Sequence, residues 1–544
     1  MMQSKQHLIA ALCFAVLAAC GGGGSSNAAP PSVTPSAPRP TVDISTVAAA
    51  DPGSTLPTGW QHGAFMEIFV RSYQDSDGDG IGDLKGLISR LDYLQDLGIK
   101  GIWLMPVTRS EDADHGYAVS DYRSIEAKYG SLADFDELLK QAHARGIGIV
   151  IDYVMNHSAA QHPLFLNSKD ADTNAYRNWY VWQNPAPSGW SIYGGDPWRS
   201  TANGAYFAPF SLQMPDFNLL NAAVVEFHKS NLRFWLNRGV DGFRFDAVGN
   251  LVETSASAWE NQPRNYTLMG EMHSLIDGYA RRYLVCEAPA DPAGYAAPTA
   301  CGSSFAFNLQ SSLINAARGD AAAVLALANY FKTASPLMAT MLSNHDSFAG
   351  QRAWNQLDGN VAQYKLAAAA YLLLPGSPFI YYGEEIGMAG AASLSGDAAL
   401  RTPMSWSANA SNAGFSTGTP YRALSANVAS QNMAAQPADP ASILAFYKAM
   451  LGLRNSLPAL AQGTYEPAFA NGAVLGYQRS FGGSKALVLI NFGSATSTIA
   501  VSALPANAGL ISAYPAGGSD AAANATGLAS VTLTAQSVRV FSIR

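Results

Sequence analysis

At 544 residues the chain exceeds what one small core can organise, so two or three domains are expected. Hydrophobic residues make up 48% of it, enough for a large core. The formal charge is −7 and no basic stripe occurs, which excludes nucleic acid as a partner.

The N-terminus, MMQSKQHLIAALCFAVLAAC, joins a short basic start to an apolar run from Leu8 to Ala19. That run is too short to span a bilayer and reads as a secretory signal over 1–19. Its end, Leu17-Ala18-Ala19-Cys20, resembles the lipobox of bacterial lipoproteins, which implies acylation of Cys20. Residues 20–58 are Gly/Ser-rich and then Pro-rich, a flexible tether with no means of packing a core. An exported monomer is expected, touching a membrane only through its lipid anchor. Gly21, in place of the Asp that retains lipoproteins at the inner membrane, favours the outer one; a periplasmic or surface-facing position and release to the medium all remain open.

From residue 60 onward, short apolar runs alternate with helical periodicity. Eight stretches read as strands: 64–72, 99–107, 146–154, 240–248, 282–288, 303–309, 337–346 and 377–385. Between the first two, Leu84, Leu87, Ile88, Leu91 and Leu94 recur at helical spacing. SLADFDELLKQAHARG opens on Ser131 with an acid three residues later, a capping-box pattern, and closes on Gly146. Eight strand–helix units predict an α/β fold, a (β/α)8 TIM barrel built from 59–154 and 218–455. Residues 155–217 are rich in Asn, Pro, Gly and aromatics without a period, and are expected as an inserted, loop-rich domain at the barrel's C-terminal face. Alternating strands with Gly/Ser/Ala turns over 456–544 predict a C-terminal all-β sandwich.

GVDGFRFDAV (239–248) poses a physical problem. Arg244 and Asp246, two apart on a strand, face the same way inside an apolar run, a costly arrangement unless the charges are used or satisfied. Other strand ends carry similar residues: Asp152, Asn156 and His157 on the third, Glu287 on the fifth, Asn344, His345 and Asp346 on the seventh. Polar residues at C-terminal strand ends of a barrel read as catalytic. No two His lie one helical turn apart as in metal hydrolases, and no G-x-S-x-G motif follows a predicted strand. Three convergent carboxylates fit glycoside hydrolysis, which needs a nucleophile and a protonated acid.

These residues resemble the α-amylase family of glycoside hydrolases. DYVMNH (152–157), GFRFDAVGN (242–250), the Glu of LVCEAP (284–289) and LSNHD (342–346) are similar to its four signature segments, in order. HGYAVSDY (115–122) and GSPFIYYGEEIG (376–387) match further segments, and MPDFN (214–218) is similar to members intermediate between oligo-1,6-glucosidases and neopullulanases. The resemblance implies Asp246 as nucleophile, Glu287 as acid/base and Asp346 as stabiliser of the distorted sugar. It implies that Arg244 keeps Asp246 ionised, that His157 and His345 hydrogen-bond the sugar whose bond is cleaved, and that Tyr117 stacks on it. Gly249 and Asn250 stand where many α-amylases have Lys-His. Asp114 stands where exo-acting α-glucosidases often carry an acid that grips the non-reducing end.

Cys13 lies within the signal and Cys20 carries lipid, which leaves Cys286 and Cys301 as a bridge or as two buried thiols. Closing that loop would contribute about 3 kcal/mol. DSDGDGIGDLKG (75–86) places Asp75, Asp77, Asp79 and Asp83 close together, although Gly86 replaces the Glu that ends an EF-hand loop. The two readings are a structural calcium site and a solvated acidic turn. The family resemblance implies calcium, with the Ile81 carbonyl as a further ligand.

The expected function is retaining endo-hydrolysis of α-1,4-glucosidic bonds in starch and maltooligosaccharides. An exo-acting α-glucosidase, or a maltogenic or transglycosylating relative, is the alternative. A non-catalytic α-glucan-binding lipoprotein is the remote one.

Overall fold

The computed structural model describes residues 41–112 and 114–544. The expected signal, Cys20 and the first half of the tether lie outside the described residues. Among the described residues no helix is long and apolar enough to cross a membrane.

Seven of the eight expected strands form one parallel sheet: β1 (Phe65–Ile68), β2 (Gly101–Leu104), β3 (Gly148–Tyr153), β4 (Gly242–Phe245), β5 (Tyr283–Cys286), β6 (Ala339–Thr340) and β7 (Ser377–Tyr381). Their order is β5-β4-β3-β2-β1-β7-β6. The expected strand at 303–309 is reduced to two parallel bridges, Ser304 to Cys286 and Phe305 to Ala339, which join β5 to β6 and close the circle.

Alternation along each strand decides what fills the barrel. Phe65, Trp103, Val150, Val285, Phe305 and Phe379 form one buried cluster in the lumen, with Phe65 and Phe379 stacked 4.7 Å apart. Phe243 and Phe245 instead belong to the larger cluster shared with the surrounding helices. A Cβ at Gly101 would meet the Phe65 ring at 2.3 Å and one at Gly148 the Trp60 ring at 2.4 Å, so these glycines make room for the aromatic floor.

Local signals act as expected between β2 and β3, where Ser131 and Asp134 form a reciprocal capping box on the helix Leu132–Ala144. The periodic stretch at 84–98 is two helices, Leu84–Ser89 and Leu91–Leu97, with a break at Arg90. Residues 155–217 hold a helix (Pro163–Asp170) and a three-stranded antiparallel sheet around Ile192, Trp198, Ala205 and Phe207. In the C-terminal region a six-stranded antiparallel sheet turns Tyr477, Val488 and Val540 toward the barrel's helices. Its other face, with Leu487, Leu489 and Phe541, is covered by the strand pair Ser497–Val501 and Ala529–Leu533.

The tether departs from expectation. Residues 41–58 have no regular secondary structure but are fastened to the barrel. Arg123 holds Asp43 (2.9 Å) and the Ser45 carbonyl (2.8 Å), Asn237 bonds the Ala48 carbonyl and the Ala50 N–H, and Leu56 is fully buried. Composition alone reads this stretch as free chain because its partners are more than 70 residues away in sequence.

Candidate active site

The inward positions of the strands run from apolar to charged toward the C-terminal face. Phe65 is followed two residues later by Glu67, Val150 by Asp152, Gly242 by Arg244 and Asp246, and Val285 by Glu287. Asp152 and Arg244 sit opposite each other in the β3–β4 register. The strand β4 ends at Phe245, so Asp246 stands just beyond it and Ala247 turns the chain with φ 44°.

Arg244, only 1% exposed, resolves the cost of its own burial by serving three acids rather than one. Its Nη1 donates to Asp246 Oδ1 at 2.7 Å and to Asp152 Oδ1 at 2.9 Å, while its Nη2 lies 2.8 Å from Glu287 Oε2. The Ala247 N–H donates to the same Glu287 oxygen at 3.0 Å. Beside them His345 lies between Glu67 (Nδ1, 2.5 Å) and Asp346 (Nε2, 3.1 Å), and Tyr117 bonds His345 Nε2 at 2.7 Å and Asp152 at 3.0 Å. Arg401 closes the group, 2.8 Å from Asp346 and 3.2 Å from Asp397.

Five carboxyls, Glu67, Asp152, Asp246, Glu287 and Asp346, thus share three cations, Arg244, His345 and Arg401, so not all can ionise together. Burial pushes Glu287 up to about 7 and Asp246 up to about 6, each against the pull of Arg244. Burial would raise Asp346 too, but His345 and Arg401 hold it well below the usual carboxylate range. Burial pulls His345 down, yet Asp346 and Glu67 outweigh it and lift it to about 10. Burial lowers His157 to about 3, so its ring is neutral; its Nε2 has no protein partner.

Asp246, Glu287, Asp346, Tyr117 and His157 line one cavity of about 1160 Å³. His115, Gly249, Asn250, Glu260, Asn261 and Arg401 line it as well, together with Tyr193 and Phe210 from the inserted lobe. Asp114 does not line it: its carboxylate is bound by Arg422 at 2.5 Å. Sequence reasoning missed Glu67 and Arg401. Glu67 could have been found, because an acid in AFMEIFV is the same signal as Asp246 in its strand, whereas Arg401 sits in a loop without periodicity.

Cys286 and Cys301 are disulfide-bonded across 15 residues, and the bridge adjoins Glu287 directly. In the acidic loop, oxygens of Asp75, Asp77 and Asp83 lie within 4.8 Å of one another, a donor set suited to a hard cation. Asp79 is outside this group and pairs with Lys128 at 2.9 Å. Asn156 and Asp216 are buried beside each other at the junction of lobe and barrel, and burial raises the Asp216 carboxyl well above the usual carboxylate range.

The family model "Alpha amylase, catalytic domain" matches residues 67–463. An alpha-glucosidase of Pediococcus pentosaceus is 32% identical over 517 residues, covering 80% of this chain and 91% of that protein. Alpha-amylase 3 of Dictyoglomus thermophilum is 32% identical over 448 residues, covering 79% and 85%. Among solved structures, the isomaltulose synthase of Protaminobacter rubrum superposes with a TM-score of 0.77 at 26% identity, covering 90% of this chain and 100% of that one. The chain belongs to the α-amylase family of glycoside hydrolases.

Proposed function

We propose that the protein hydrolyses internal α-1,4-glucosidic bonds of starch-type glucans and maltooligosaccharides with retention of configuration. The rim of the cavity carries this reading. Phe348, two residues from Asp346, is 59% exposed, and Tyr193 and Phe210 of the lobe are 60% and 39% exposed. Apolar rings left in solvent along the cavity that holds the carboxylates suit a chain of several sugars rather than a single one.

In this reading the Asp246 carboxylate attacks the anomeric carbon and the leaving oxygen takes the proton of Glu287. The Glu287 carboxylate then removes a proton from water, whose oxygen attacks the same carbon and releases Asp246. Both acids rest on one guanidinium, which suits the separation of about 5 Å that retention requires. Asp346, held ionised, accepts hydrogen bonds from ring hydroxyls, and His157 lines the same cavity as a neutral ring.

A maltoheptaose blocked at its non-reducing end tests the direction of attack. Its cleavage, with a rapid loss of starch iodine colour, is the expected result. Glucose release from free maltoheptaose with the blocked one untouched would overturn the endo reading in favour of an exo-acting α-glucosidase. That second reading is favoured by Arg401, which lines the cavity and spans Asp346 and Asp397 beside the place of the cleaved sugar. Against it, Asp114 is drawn to Arg422.

Turnover requires Asp246 ionised and Glu287 protonated. Raising pH through about 7 removes the Glu287 proton, and lowering it through about 6 neutralises Asp246. A bell-shaped kcat/KM profile with a narrow summit between these values is expected. A profile flat to pH 9 would contradict the assignment of Glu287 as the acid.

Calcium is assigned to Asp75, Asp77 and Asp83 with the Ile81 carbonyl, where it would neutralise three carboxylates and tie β1's following loop to Ser416, which bonds Asp75 at 2.6 Å. Calcium at a hundred times its Kd would stabilise the fold by about 3 kcal/mol. Chelation should therefore lower Tm, with recovery on adding calcium; an unchanged Tm would remove the metal from the account. The Cys286–Cys301 bridge supports delivery by the signal and Cys20 to an oxidising compartment outside the cytoplasm.

A further inference from the structure

The strand that carries Glu287 lies at the seam where the barrel closes without a full eighth strand. On one side β5 pairs with β4 along its whole length, from Tyr283 opposite Gly242 to Cys286 opposite Phe245. On the other side its backbone pairs at a single residue, Cys286, bridged to Ser304. There the Cys286 N–H donates to the Ser303 carbonyl at 3.1 Å. The Cys286 carbonyl accepts from the Phe305 N–H at 3.1 Å and from the Ser304 hydroxyl at 3.0 Å.

The disulfide crosses this same seam. Tyr283 and Val285 point into the lumen and so, by the period of two, does Glu287, while Leu284 and Cys286 face the surrounding helices. The Cys286 sulfur therefore leaves the strand on the side away from the lumen and joins Cys301, two residues before Ser303. Neither cysteine lines the substrate cavity, and both are buried. Between them the chain begins with Glu287 and continues as Ala288, Pro289 and Ala290 along the cavity wall. Its return is fixed at Tyr295, whose carbonyl accepts from the Cys301 N–H at 3.0 Å and whose hydroxyl donates to the Val248 carbonyl at 3.1 Å.

Glu287 itself is gripped from the β4 side. Arg244 Nη2 and the Ala247 N–H hold its carboxylate, and its own N–H donates to the Phe245 carbonyl at 2.9 Å. A carboxylate drawn from one side keeps its distance from Asp246 only if the strand beneath it is held from the other. We propose that the Cys286–Cys301 bridge positions the acid: it stands in for the missing strand pairing at the seam and fixes Glu287 where it can protonate the leaving oxygen. Cys286 and Cys301 are positioning residues and touch no substrate. The inference rests on the glycosidase reading above. It differs from stabilisation, because a bridge that only restricts the unfolded chain leaves the folded acid where it was. A misplacement of about 1 Å, by contrast, can cost roughly 10²-fold in rate.

The test compares maltoheptaose, whose leaving oxygen needs the proton of Glu287, with α-maltosyl fluoride, whose leaving group does not. Cys286→Ala/Cys301→Ala, assayed well below its Tm, should lose about tenfold in kcat/KM on maltoheptaose, through kcat rather than KM, and little on the fluoride. Cys286→Val/Cys301→Ala, which refills the volume without the covalent link, should show the same contrast. Equal losses on the two substrates, or no loss on maltoheptaose, overturn the inference and leave the proposed activity standing. Recovery by the Val/Ala variant overturns it as well, since packing alone would then place the acid. Failure of both variants to fold also overturns it and reduces the bridge to a stabilising link. Absence of turnover of both substrates by the unaltered protein overturns the activity and the inference together.

Discussion

Asp246→Asn should lower kcat/KM on maltoheptaose by on the order of 10⁴-fold while the protein melts as a folded chain. Asn keeps the shape of the side chain and can still accept from Arg244 Nη1, but it supplies no carboxylate to attack the sugar. Glu287→Gln should cost about 10²–10⁴-fold on the same substrate, and far less on α-maltosyl fluoride, whose leaving group needs no proton. This contrast separates the two roles. If Glu287→Gln were equally impaired on both substrates, its assignment as the acid would fail, and near-native turnover by either variant would dismiss the scheme.

Arg244→Leu should have the largest effect on stability. It leaves Asp152, Asp246 and Glu287 without their shared cation in a site where Arg244 is 1% exposed. Removing one partner of a buried ion pair costs about 3–5 kcal/mol, because the remaining charge is stranded. The three acids would answer partly by taking up protons, which also removes the nucleophile. Arg244→Lys should fold better than Arg244→Leu but remain impaired in turnover, since one ammonium cannot reproduce the fork that places Nη1 on Asp246 and Nη2 on Glu287. A melting curve for Arg244→Leu that matches the parent would show the triad of ion pairs to be inconsequential.

The charged pair in GVDGFRFDAV was legible because the reason for it is local. A period of two along an extended chain puts Gly242, Arg244 and Asp246 on one face and Phe243 and Phe245 on the other, whatever surrounds them. The same rule ties Val285 to Glu287. What that strand could not show is how many acids Arg244 serves, since Asp152 and Glu287 come from strands on either side of β4. Asp114 illustrates the opposite error: its place beside His115 and Tyr117 suggested a grip on substrate, but an Arg 308 residues later holds it.

The sequence by itself determined the alternation of strands and helices, the cap at Ser131, the acids at the strand ends and the family, because each rests on short-range periodicity or on contiguous motifs. Only the tertiary structure decided that the stretch at 303–309 closes the barrel by bridges rather than as a strand, that residues 41–58 are fastened to the barrel, that Arg401 grips Asp346, and that Tyr193 meets Asn250 across the cavity. Each of these joins segments far apart in the chain. Such meetings depend on the paths of loops whose direction is set by packing against the whole barrel, and no local pattern in the sequence encodes that.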